Sequence, residues 1–253
     1  MNHPLRIRVL PALVSFAAVG VALMVMGPDA GADVPLPRPV DVPPGPEGVP
    51  GPGGAMLPPL AEEAPAGAPA ISAISDVTFP DETLAIAGFG LSGAHLRIWR
   101  EGGTEDLAPL RTAHDRMLAV VPRDWPVSAM LVWPVRDGQA GAPIRVNGAT
   151  AWWAWPPRIA ANAEGRLSTS PGPPTLLLMG KNLKLDGAEP QVYLCGPGGP
   201  RQLTVVAARA YQLTVQLPDA LRHGVYEVFA HNGTGGPFGW SRPVRVEVAP
   251  APA

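Results

Sequence analysis

Cysteine is almost absent from this 253-residue sequence, where Cys195 stands alone. A single thiol excludes an intramolecular disulfide framework and a cysteine metal cage. It reads as a small core residue rather than a reactive nucleophile. Charge is scarce too: Asp, Glu, Lys and Arg make up 16% of residues, with a net of −2. No basic footprint for nucleic acid follows from that balance. The five His, among them His95, His114, His223 and His231, show no H-x-x-x-H or related metal spacing. Helical periodicity with caps is missing beyond the first apolar run, and no other run is long enough to approach a bilayer span.

What the sequence has in excess is Pro and Gly, 34 and 29 residues. That composition alone points to disorder. Yet 46% of residues are hydrophobic, and many form short runs of Val, Ile and Leu. The combination fits many short strands with frequent turns, plus one unstructured stretch.

Residues 1–32 have the layout of a secretory signal peptide. Arg6 and Arg8 supply the positive start, Val9 to Met26 the apolar run, and Ala30-Gly31-Ala32 a small-x-small cleavage site. The alternative is an uncleaved anchor, but Pro11 and the cleavage site favour removal. No Cys follows the run to carry a lipid. The mature chain is therefore expected to be secreted, periplasmic or at the cell surface, without stable membrane insertion. Residues 33–70 hold 12 Pro and 6 Gly and read as a disordered linker, too poor in apolar groups to offset its ordering entropy. Within it, Gly45 to Gly53 mimics collagen triplets, but too few for a triple helix.

The most informative feature is an internal repeat. Thr83-Leu84-Ala85-Ile86-Ala87-Gly88-Phe89-Gly90-Leu91 matches Thr175-Leu176-Leu177-Leu178-Met179-Gly180-Lys181-Asn182-Leu183. Leu118 to Pro122 then corresponds to Leu213 to Pro218, with one inserted residue, and Pro143 to Asn147 to Pro243 to Glu247. Three collinear matches imply a duplicated unit. Leu84, Ile86, Leu176 and Leu178 alternate with smaller positions, as do residues of Val225 to Phe229 and Val244 to Val248, and Asn232-Gly233 signals a tight turn. The fold class is all-β: two tandem immunoglobulin-like sandwiches over 71–150 and 151–248, then a Pro/Ala tail at 249–253.

The pattern T-L-x-φ-x-G-x-x-L (φ, apolar), with a later strand ending in Pro, resembles the IPT/TIG class of immunoglobulin-like domains. The second half, with Gly180-Lys181-Asn182-Leu183, His231-Asn232-Gly233-Thr234-Gly235-Gly236 and Gly239-Trp240-Ser241, looks like the paired modules in front of bacterial secreted pectate-lyase- and polygalacturonase-like β-helix proteins. The stretch Val146 to Pro156 looks like the join between those modules. The resemblance implies a polysaccharide-processing context, with a downstream β-helix domain as a partner. The sequence ends at Ala253, where a β-helix would begin, so the expectation is a truncated or split product, or modules that work alone as a monomer.

Nothing marks a catalytic constellation. The Asp and Glu residues are scattered, most in expected turns, with no sign of a glycosidase carboxylate pair. Ser170 and Ser241 lack a G-x-S-x-G setting, and Gly196 to Pro200 is a rigid turn. No enzyme activity, cofactor or metal is expected. The seven Trp are the functional handle, and the candidate ligand-binding residues are Trp152, Trp153, Trp155, His231, Asn232 and Trp240. Extended backbone puts Trp153 and Trp155 on one face and Trp152 on the other. Three readings stand: indoles that cement the sandwiches together, an exposed platform that stacks on sugar rings, or a docking surface for another domain. His231, beside a tight turn, reads more as a loop-orienting group than a metal ligand. The function expected is a secreted, non-catalytic binding or accessory module for polysaccharide; the alternative is a structural spacer or adhesin-like stalk.

Overall fold

Short apolar alternations separated by Gly and Pro fold into strands, and the chain stacks them into two successive β-sandwiches. The computed structural model describes residues 36–37, 42–52, 60–61, 64–76, 78–101, 103–167 and 173–251. The expected signal peptide lies outside the described residues. So do parts of the expected linker and the end of the Pro/Ala tail. β1 (Leu36–Pro37) and β2 (Leu60–Ala61) form a short parallel pair.

The first sandwich contains β3 (Ala70–Ile74), β4 (Thr83–Phe89), β5 (His95–Arg100), β6 (Gly103–Leu107), β7 (Arg111–Thr112), β8 (Arg116–Val120), β9 (Met130–Arg136), β10 (Gln139–Ala140) and β11 (Ile144–Val146). One sheet runs β3-β4-β8-β7; the other runs β10-β9-β5-β6, with β11 also on β9. The second sandwich contains β12 (Thr150–Trp155), β13 (Arg158–Ala161), β14 (Thr175–Lys181), β15 (Gln191–Gly196), β16 (Gly199–Arg209), β17 (Gln212–Gln216), β18 (Gly224–His231) and β19 (Val244–Pro250). Its strands run β12-β14-β17-β16-β15-β18-β19-β13. The long β16 serves both layers: residues from Thr204 onward pair with β17, and those up to Leu203 with β15.

Register makes the duplication concrete. Leu84 lies opposite Ala119 and Ile86 opposite Met117; Leu176 lies opposite Val215 and Leu178 opposite Leu213. All four repeat Leu and Ile residues are buried, at 0–3% exposure. The pairing also corrects the sequence alignment of the next strand. Met117, Ala119, Val121 and Pro122 stand where Leu213, Val215, Leu217 and Pro218 stand, with no insertion. The buried Met and Ala of β8 are weaker sequence signals than the neighbouring Leu118, which is only half-buried. The repeated glycine has a steric origin. A Cβ on Gly88 would lie 2.0 Å from the Ala70 carbonyl oxygen, and one on Gly180 2.1 Å from that of Thr150. In each copy the preceding edge strand passes too close for any side chain.

Each sandwich has its own core. Leu84, Leu96, Ile98, Met117 and Val132 fill the first; Leu176, Leu178, Val192, Leu194, Leu213 and Val228 fill the second. A third apolar cluster sits outside the first sandwich. Trp99, Leu131, Trp133 and Val135 face away from the first core and are covered by Phe238. Phe238 belongs to a 3-10 turn (Gly236–Gly239) that follows β18, and its ring meets Trp99 edge-on at 4.8 Å. The second sandwich thus roofs the first.

Part of the expected linker is not free. Val42 packs against that same cluster, Pro43 and Pro46 are buried, and Val49 N–H donates to the Pro46 carbonyl at 3.1 Å. Gly236 N–H donates to Pro52 O at 2.9 Å. A Cβ on Gly45 would fall 2.5 Å from Trp240 Nε1, so the backbone runs directly over that indole. The expectation of disorder does not hold over residues 42–52. Pro and Gly lose almost no side-chain entropy on docking, and a neighbouring apolar face supplies the partner surface that composition alone could not reveal.

Candidate functional site

β12 is an edge strand of the second sandwich, paired among the described residues only with β14. Its register runs Ala151–Gly180, then Trp153–Met179, Ala154–Leu178 and Trp155–Leu177, so Trp152 is an extra, bulged residue. A bulge turns two consecutive side chains to the same side. Trp152 and Trp153 therefore both face outward, and so does Trp155, while Ala154 points into the core. Exposure is 54%, 48% and 61% for Trp152, Trp153 and Trp155, against 6% for Ala154. The expectation that Trp152 lies on the opposite face fails because of the bulge. The reading of these indoles as cement between the sandwiches fails too, since cement is buried.

The sheet face beside the indoles is mixed in character. Residues directly opposite share a face, so Trp153, Met179 and Gln212 form one outward row, and Trp155, Leu177 and Thr214 the next. Thr175 and Gln216 continue it. Leu177, Met179, Gln212, Thr214 and Gln216 are half-buried, and Tyr211 is 56% exposed at the β16–β17 turn. An aromatic edge thus borders a shallow strip of aliphatic, amide and hydroxyl groups.

The first sandwich supplies an internal control. β3 carries the same bulge against β4: Ile71 faces Gly88, Ala73 faces Ala87 and Ile74 faces Ile86, with Ser72 extra. Ser72, Ala73 and Ser75 therefore stand where Trp152, Trp153 and Trp155 stand. In the first sandwich the bulged edge thus forms without any indole.

The remaining candidates are wholly buried, and this corrects their assignment as ligand contacts. His231 and Asn232 are 0% and Trp240 1% exposed. His231 Nδ1 accepts from Gly233 N–H at 2.9 Å, and its Nε2 lies 2.6 Å from the Gly236 carbonyl. An Nδ1 that accepts and an Nε2–H that donates require the neutral ring. Burial holds the His231 pKa down to about 4, only partly offset by the Gly236 carbonyl. His231 orients its loop, as its place beside a tight turn implies. The Trp240 ring packs edge-on against His231 at 4.7 Å and lies under the 42–52 segment.

That loop is where the sandwiches are joined. Asn232 Nδ2 donates to the Asn147 carbonyl at 2.7 Å, and Ala129 N–H donates to Thr234 Oγ1 at 2.9 Å. Arg145 Nη1 donates to the Trp240 carbonyl at 2.6 Å, and Gly235 N–H to Glu101 Oε1 at 2.9 Å. Asn147 is left-handed, with φ 58°, and its side chain bonds both the N–H and carbonyl of Thr78. Asp76 accepts from Asn147 N–H and Asn182 Nδ2 and pairs with Lys181. Asn147 lies in the stretch that resembles a join between modules, and Asn232-Gly233 in an expected tight turn; their partners reach them only through tertiary contact.

Other chemistry is sparse among the described residues. No group of three or more His, Cys, Asp or Glu could hold a metal ion. The Arg97 guanidinium, 2.6 Å from Asp106, holds that carboxyl below its usual range, the opposite of what a general acid needs. Cys195 is half-buried rather than core, and burial, then Glu227, pushes its thiol pKa up. No described helix is long and apolar enough to cross a membrane.

No family model matches the sequence, and no curated protein does. Among solved structures, the chain is similar to a surface glycan-binding protein of Prevotella bryantii, at 10% identity and TM-score 0.29, covering 71% of this chain and 42% of that one. It is also similar to the SGBP-B protein of the Bacteroides ovatus mixed-linkage glucan utilization locus, in complex with a heptasaccharide, at 16% identity and TM-score 0.28, covering 78% and 49%. The FN1–FN3 domains of chicken CNTN1 match at 13% identity and TM-score 0.21, covering 77% and 68%. The chain spans less than half the length of the two glycan-binding structures. Superpositions this loose leave the functional reading to the chain's own residues.

Proposed function

We propose that this chain is a non-catalytic, secreted or cell-surface module that holds polysaccharide on the Trp152, Trp153 and Trp155 edge of its second sandwich. The observation that carries the reading is the exposure of all three indoles at positions that Ser72, Ala73 and Ser75 fill in the first sandwich. Large exposed aromatics grouped on a folded domain mark binding surfaces. Flat indole faces match the apolar C–H faces of pyranose rings, and a Trp has only two torsions to fix on binding. Gln212, Thr214 and Gln216 lie where they can bond sugar hydroxyls along the same sheet face. The polysaccharide-processing partner in this reading is a β-helix domain, downstream or separate, as the resemblance of the second half to such front-end modules implies. IPT/TIG-type membership belongs to the same proposal.

The alternative, a stalk without a ligand of its own, is favoured by the extensively bonded joint between the sandwiches. The readings separate in one experiment. Depletion of the protein from solution by a panel of insoluble plant and bacterial polysaccharides should occur for the wild type and disappear for Trp153→Ala. Acrylamide should quench a large part of the fluorescence of the exposed indoles. A protein that no polysaccharide retains, or a Trp153→Ala variant that binds undiminished, would remove the platform and leave the stalk.

A further inference from the structure

The same end of each sandwich is closed in one copy and open in the other. Arg100 lies opposite Gly103 at the end of β5–β6, and Gly196 opposite Gly199 at the end of β15–β16. Gly196 therefore stands where the first sandwich has Arg100. Counting from the matched Pro122 and Pro218, Leu221 stands where Trp125 does. In the first sandwich the Arg100 guanidinium stacks over Trp125, 4.3 Å from the ring centre, and is held by Glu105 at 2.5 Å. About 10 Å³ of space remains there, room for no ligand. In the second sandwich the stacked pair is absent, and a cavity of about 320 Å³ opens.

Its chemistry is defined. Leu194, Leu221 and Tyr226 make an apolar floor, and Arg201, Arg222 and Glu164 line the rim. Arg201 lies opposite Leu194 across β15–β16, as Glu105 lies opposite Ile98 across β5–β6. The position that carries an acid in the plugged copy carries a base in the open one. Arg201 and Arg222 have no ion-pair partner among the described residues, whereas the guanidinium of Arg100 is neutralised by Glu105. Two unpaired guanidinium forks over an apolar floor favour a planar anion attached to a ring, since Arg binds carboxylate through two parallel hydrogen bonds. The volume is at the small end of ligand sites, sized for one or two sugar rings.

We propose that this cavity is a second binding site, for a ring-sized ligand bearing a carboxylate, of the uronic acid class. Arg201 and Arg222 take the carboxylate, Leu221 and Tyr226 support the ring, and Glu164 accepts from a hydroxyl. None of the residues that line it belongs to the indole edge.

The test is a titration of the isotopically labelled full chain, followed through its amide resonances. The probes are methyl galacturonoside, methyl galactoside and acetate. Galacturonoside should shift Gly198, Gly199, Arg201 and Arg222, with affinity falling about tenfold or more in Arg201→Gln and again in Arg222→Gln. Both side chains are exposed, so neither change threatens the fold. Leu221→Trp, which places an indole where the first sandwich has Trp125, should abolish the shifts, and Trp153→Ala should leave them unchanged. Equal binding of galactoside, equal binding of acetate, or full retention of affinity in the Arg variants would each overturn the proposal.

Discussion

The two sandwiches are the same construction with different surfaces. They share the bulged first strand, the glycine beneath it, the buried Leu pairs and the strand ending in Pro. They part at three places. The first has its outer β9–β5 face, with Trp99 and Leu131, roofed by Phe238 and Val42, whereas the matching β18–β15 pair of the second carries half-buried Cys195 and Glu227 at those positions. The first carries Ser72, Ala73 and Ser75 where the second carries three indoles. The first plugs its end with Arg100 on Trp125, whereas the second leaves a cavity with two arginines at its rim.

The largest expected effect lies at the roof. Phe238→Ala should cost about 3–5 kcal/mol, the usual cost of a buried Phe truncation. It should also split a single urea transition into two, as the sandwiches lose their shared cluster. A single, barely shifted transition would show that the roof does not couple them. Next in size, Leu84→Ala and Leu176→Ala should each destabilise by about 2–5 kcal/mol, and by similar amounts, because they fill matching sites. A large difference between the two would mean that the repeat is less regular than its register.

The pH dependence of the joint comes third. His231 has its pKa lowered to about 4 in the folded chain, against roughly 6.5 for a free imidazole. The unfolded chain binds the extra proton first as pH falls, so the contribution of the neutral ring is complete above about pH 6.5 and is lost towards pH 4. The loss should approach about 3 kcal/mol, since each tenfold difference in proton affinity is worth roughly 1.4 kcal/mol. In His231→Gln the acid slope between those values should flatten; an unchanged slope would assign it elsewhere. A smaller effect is expected from Gly45→Val, whose Cβ would enter the Trp240 indole. Displacing the 42–52 segment should increase acrylamide quenching of Trp240 while the sandwiches stay folded.

Much of the fold is legible in the order of residues alone. The T-L-x-φ-x-G-x-x-L repeat locates matching strands, and Leu84, Ile86, Leu176 and Leu178 are buried as their alternation requires. Three features are not legible there, each for a physical reason. The face on which Trp152 lies depends on a bulge, and a bulge leaves no mark in simple alternation. The docking of residues 42–52 depends on an apolar face built by residues far along the chain, Trp99, Trp133 and Phe238 among them. Composition reports only the segment itself. The joint depends on Asn147, Asp76 and Asn232, polar residues whose partners lie far along the chain and that tertiary contact turns into a bonded network. The candidate site is half legible: the Trp cluster stands out, but Trp240, His231 and Asn232 belong to the joint.

The central claim is that the indoles of β12 are present for binding and not for folding. The most direct measurement replaces Trp152→Ser, Trp153→Ala and Trp155→Ser together, giving the second sandwich the edge residues of the first. Melting temperature and polysaccharide retention are then read on the same sample. The melting temperature should stay within about 2 °C of the wild type, as for surface changes of up to about 0.5 kcal/mol, while retention is lost completely. A melting temperature lowered by roughly 10 °C or more, or retention that survives the triple change, would contradict that claim.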